Sequence, residues 1–139
     1  MSKQDNIAAT QQFGEAANSG NFELFHEVVA PHSVDNDSAP GQGAGPEGFT
    51  QFFTLFRSAF PDLNIAVEHM VADDDNVAFA YTVTGTHQGD FMGIPATGKR
   101  IRARGMQIAR FEDGKMVERW GSSDELGILK QLGFEPEQR

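Results

Sequence analysis

The apolar pattern changes its period at Pro61, and this switch limits the fold more than any other feature of the chain. Before it, Phe49, Phe52, Phe53, Phe56 and Phe60 recur at helical spacing. After it, Leu63, Ile65, Val67, His69 and Val71 alternate, and so do Val77, Phe79, Tyr81 and Val83. One stripe suits a helix buried along one side, the other a strand buried on one face. The chain must therefore lay helices against a sheet. Twelve Phe in 139 residues supply the core for that packing.

The remaining elements follow the same signals. Residues 4 to 18 are compatible with a mildly amphipathic helix, stopped at Asn18 and Gly20. Asn21 can cap a short second helix whose apolar face is Leu24, Phe25, Val28 and Val29, ended by Pro31. The stretch "SVDNDSAPGQGAGP" is irregular, with room for a short strand in its first residues, and Pro46 stands where the Phe-rich helix starts. "ADDDN" is a turn and "GDFMGIPATG" a long connection. Ile101 to Phe111 and Met116 to about Ser122 read as two further strands joined by the hairpin turn "EDGK". Glu125 to Leu132 is a short closing helix, stopped by Gly133. Helices grouped before an antiparallel meander indicate an α+β domain, here residues 1–139 as one unit. A curved sheet with helices across its concave side is expected to enclose one apolar cavity, suited to a small apolar molecule.

Several functions are disfavoured by composition. The chain has no Cys, so thiolate nucleophiles, zinc-thiolate sites and disulfides are excluded. Four dispersed His without paired carboxylates do not suggest a metal site. The net charge is -9, and the basic stretch "GKRIRAR" alternates like one strand face, so no nucleic-acid footprint is expected. No apolar run approaches the roughly 20 residues of a membrane span, and the N-terminus lacks a signal-peptide core. A cytoplasmic protein is the expectation.

With the elements in this order, "GTHQGDFMGIPATGKRI", "RFEDGKMVERW" and "DELGILKQLG" resemble the SnoaL-like polyketide cyclases (ester cyclases) of the nuclear transport factor two-like superfamily. The resemblance covers about residues 5 to 134. It implies a cone-shaped α+β barrel with a deep pocket, ring closure by intramolecular aldol condensation, and no metal or cofactor. It also implies a homodimer or higher homo-oligomer formed through the sheet. In the family one Asp on the last strand moves the proton, directly after an aromatic or basic residue. Here the position after Trp120 is Gly121. Asp124 instead matches the second family Asp, which opens the terminal helix. The family's pocket His positions correspond to Arg119 and Gln107. The family's His or Asn on the short strand falls at Asp35 or Asn36.

The candidate residues follow. Asp35, His87 and Asp124 are the candidate acid/base groups. Asn36, Phe56, Phe91, Met92, Gln107, Arg119 and Gly121 are candidate substrate contacts. Asp124 is either a cap of the last helix or a first-turn residue behind a Ser122–Glu125 capping box. His87 can move protons near neutral pH or hold the loop that follows it. Val117, Arg119 and Gly121 share one strand face, Glu118 and Trp120 the other. Arg119 can stabilise an enolate or bind a carboxylate, with Asp35 as partner. Phe91 and Met92 would form an apolar lip. A binding protein that kept the fold without the reaction is the alternative.

Overall fold

A computed structural model describes residues 2–134. Helix α1 (Lys3–Ser19) opens with a reciprocal capping box between Ser2 and Asp5 and closes at Gly20, whose φ of 82° suits glycine. A 3-10 turn (Phe22–Leu24) leads into the four-residue α2 (Phe25–Val28). Strand β1 (Val29–Asp35) follows, then α3 (Gly45–Ala59), β2 (Asn64–Ala72), β3 (Asn76–Thr86), β4 (Arg100–Glu112), β5 (Lys115–Ser123) and α4 (Glu125–Gln131).

The five strands form one sheet in the order β1-β5-β4-β3-β2. β1 runs parallel to β5, and every other pair is antiparallel. The α+β class and the curved, mainly antiparallel sheet are as expected from the period switch. Along β4 the odd residues Ile101, Ala103, Gln107, Ala109 and Phe111 are buried toward the helices, and Arg100, Arg102, Arg104, Met106 and Ile108 are exposed on the outer face. The core lies between that inner face and α1, α2 and α3. Phe25 is fully buried there, its ring within 6.0 Å of those of Phe13, Phe22, Phe49 and Phe53.

Two local readings are corrected. Val29 and Pro31 belong to β1, not to the end of the second helix. β1 is an edge strand with an irregular register between Val29 and Val34, where proline's missing N–H is tolerated. In β2 the alternation breaks at a bulge between Val67 and His69. The extra residue shifts the pleat, so Met70 and Ala72 continue the inner face, opposite Phe79 and Val77. His69 and Val71 fall on the outer face, and Val71 is exposed.

Candidate active site

Asp35, Gln107 and Arg119 come together on the inner face of the sheet. Arg119 on β5 stands opposite Ala109, and Gly121 opposite Gln107, so all four share the inward parity. Asp35 ends β1 directly beside Arg119. The Arg119 guanidinium donates from Nη1 to both carboxylate oxygens of Asp35, at 2.9 and 3.2 Å, and from Nε to Gln107 Oε1 at 2.7 Å. Both partners of the ion pair are well covered, with side-chain exposures of 16% for Arg119 and 8% for Asp35. Asp35 also accepts from Gln42 Nε2 at 3.1 Å and from the backbone N–H of Asp37 at 3.0 Å.

Glycines make room for this cluster. A β-carbon at Gly121 would collide with the Arg119 guanidinium, 2.6 Å from Cζ, so the arginine folds over the strand where a side chain at 121 would stand. On β4, a β-carbon at Gly105 would strike the Tyr81 ring, 2.9 Å from Cε1. Tyr81 therefore lies across β4 over Gly105, the residue that pairs with Ser123 of β5. Burial pushes the Tyr81 phenol above its ordinary range, against the smaller pull of Arg119 and Ser123. The phenol thus stays neutral and keeps its proton near neutral pH.

Two donors in the cluster are unused. Gln107 is 4% exposed, and its Nε2 has no hydrogen-bond partner among the described residues. Arg119 Nη2 likewise makes none. Buried amides without partners are uncommon and need a reason. Unpaired N–H groups beside a guanidinium fit an oxygen acceptor on a bound molecule, such as a carbonyl or an enolate. The half-buried Phe52, Phe56, Phe79 and Phe91 supply apolar surface on the same side of the sheet.

The other candidates lie apart. Asn36 is exposed at the sheet edge, bonding Glu118 Oε2 and the Arg119 carbonyl, both at 3.1 Å. Of the two short-strand residues, Asp35 is thus the one on the inner face. His87 is fully buried at the end of β3. Thr97 N–H donates to its Nδ1 at 3.2 Å, and the Thr97 hydroxyl lies 2.9 Å from the same atom. A backbone N–H can only donate, so the ring proton is on Nε2. With His87 N–H to Lys99 O and Gly98 N–H to His87 O, this clamps the base of the connection to β4. Phe91 and Ile94 close a tight turn further along it, with Met92 exposed at the tip in a left-handed conformation (φ 49°). The Phe91 ring stacks on Phe56 at 6.0 Å and meets Phe60 edge-on at 5.3 Å.

Asp124 is the N-cap of α4. Its exposed carboxylate accepts from Gly127 N–H at 2.8 Å, and no capping box forms from Ser122, which lies in β5. Asp124→Ala is expected to lower stability by about 0.5–2 kcal/mol and Asp124→Asn by less, because Asn caps nearly as well. Thermal melts and a turnover assay on both variants check this. Loss of turnover in Asp124→Asn with an unchanged melt would give Asp124 a chemical role instead.

Sequence reading missed Tyr81 and Gln42 as parts of the cluster. A signal existed for Tyr81: it is the only Tyr, on an inward-facing strand position, with a glycine on a neighbouring strand. None existed for Gln42, which lies in an irregular segment. Open depressions of ≈ 280 and ≈ 290 Å³ border Val71, Asp73 and Ala78, and Met106, Ile108, Trp120 and Gly121. The second also borders Asp37 and Gln107, so it meets the cluster at Gln107 and Gly121. Among the described residues no group of three or more His, Cys, Asp or Glu could hold a metal. No described helix is long and apolar enough to cross a membrane.

Fold and site together define a small α+β protein whose curved sheet carries a polar cluster on its helix-covered face. The fold recurs in solved structures. TsrD from Streptomyces laurentii superposes with a TM-score of 0.87 at 26% identity, covering 96% of this chain and 98% of that one. IdmH from Streptomyces antibioticus, described as a putative polyketide cyclase, gives a TM-score of 0.81 at 31% identity over 93% and 99%. The chain belongs to the SnoaL-like polyketide cyclase family, whose model matches residues 7–132. It is 31% identical to the aklanonic acid methyl ester cyclase DnrD of Streptomyces peucetius, over 91% of this chain and 90% of DnrD.

Proposed function

We propose that this protein is a cofactor-independent cyclase for a bulky, largely apolar polyketide ester, closing a ring by intramolecular aldol addition. The observation that carries the reading is the Asp35–Arg119–Gln107 cluster with its unused donors, in a chain of this family. Asp35 takes the proton from a carbon flanked by two carbonyl groups, a C–H acidic enough for a carboxylate to remove. Arg119 and Gln107 hold the oxygen that becomes the enolate. The enolate carbon attacks a second carbonyl of the same molecule, the C–C bond forms, and the new alkoxide takes the proton back. Tyr81, a neutral phenol on the same inner face, would donate a hydrogen bond to that alkoxide.

The substrate class comes from the relatives, of which DnrD is named for aklanonic acid methyl ester. Incubation of the purified protein with that ester, without added metal or cofactor, is expected to give an isomer of unchanged mass and altered retention. Saturable binding of the ester with no isomer formed would make the protein a binding protein instead.

The outer sheet face exposes Met106, Ile108, Trp120 and Val71. A contiguous apolar face of this kind fits a homodimer packed sheet to sheet. Sedimentation at micromolar concentration is expected to give twice the chain mass, and Trp120→Glu to give the single-chain mass. A wild-type monomer would remove this proposal.

A further inference from the structure

We propose that Asp35 is a charge filter that makes the site select a neutral ester or ketone over a free carboxylate. This rests on the inner-face cluster being the substrate site. The electrostatic bookkeeping is local. Arg119 contributes one positive charge and Asp35 cancels it through two contacts, at 2.9 and 3.2 Å. What the neutral pair leaves over is two donors, Arg119 Nη2 and Gln107 Nε2. A carbonyl oxygen can accept from both at no cost in net charge. A carboxylate bound there would sit beside a carboxylate that is 8% exposed, in surroundings where like charges are poorly screened. The net charge of -9 adds to the bias against anions.

Asp35 itself cannot swing away cheaply. Besides the arginine, the Asp37 N–H holds its Oδ1 and Gln42 Nε2 its Oδ2. Removing its charge leaves an unpaired guanidinium, and a planar carboxylate is the preferred partner of that group.

The test is a binding titration scored without turnover. The probes are 9,10-anthraquinone-2-carboxylic acid, its methyl ester and its carboxamide, the last matching the acid in size. At pH 7.5 the wild type is expected to bind ester and amide about tenfold or more tightly than the acid, the scale set by one poorly screened like-charge contact. Asp35→Asn is expected to raise affinity for the acid by about tenfold while changing the two neutral probes by less than about threefold. Equal binding of acid and amide by the wild type overturns the proposal, even if the variant does not fold. So does an Asp35→Asn protein that weakens all three alike, the mark of a purely structural aspartate. A protein that prefers the neutral probes but closes no ring would sink the cyclase reading and leave this one. A working cyclase that binds acid and amide equally would do the reverse.

Discussion

Arg119→Met should lower the stability of the protein by about 3–5 kcal/mol, because it leaves the Asp35 carboxylate covered and without its cation. Methionine keeps the apolar stem and removes only the guanidinium. Asp35 would retain two of its four hydrogen bonds, from Gln42 and from the Asp37 N–H. Domains of this size are stable by about 5–15 kcal/mol, so the loss is a large fraction of the total. The double variant Arg119→Met/Asp35→Leu should recover most of it, since an apolar pair of similar volume replaces a covered ion pair at little net cost. Urea melts of the wild type, both single variants and the double variant form the cycle. A single Arg119→Met cost below about 1 kcal/mol would mean the pair is solvated like an ordinary surface bridge and does not organise the site.

The second large effect is on turnover. Asp35→Asn should reduce kcat by about 10²–10⁴, the range for a positioned acid/base group, with KM for the ester moving far less. The reason is geometric. Among the acids proposed from sequence, Asp35 alone lies beside Arg119 and Gln107. Asp124 is bonded to the first turn of α4 and His87 is locked into its loop by Thr97. The asparagine keeps the shape, but its single oxygen can accept only two of the four hydrogen bonds, so a urea melt of the variant accompanies the kinetics to separate lost chemistry from lost stability. Asp35→Asn retaining more than about a tenth of wild-type kcat would assign the proton to another group. The next variant would then be Tyr81→Phe, since Tyr81 is the other titratable side chain beside the guanidinium.

Gly121 shows how far a motif can be read without a fold. In sequence it is a missing carboxylate. In the structure the vacated volume is taken by the guanidinium two residues earlier on the same strand face. Strand parity alone put Arg119 and Gly121 on one face, because side chains alternate strictly along a strand. It could not say that the arginine folds back over the glycine rather than reaching into solvent. That choice is made by Asp35 and Gln107, which come from β1 and β4.

The sequence alone determined what depends on neighbours a few residues apart. The helical stripe of Phe49 to Phe60, the alternation of the later strands, the "EDGK" hairpin and the stops at Gly20 and Gly133 are all local patterns. So were the motifs that marked the family. Tertiary structure decided what depends on register. The bulge at Val67/His69 moved every later β2 side chain to the opposite face, and no residue type there announces it. The parallel pairing of β1 with β5 brought Asp35 to Arg119 across 84 positions. A contact that distant is set by how the whole sheet closes, not by the preferences of either residue.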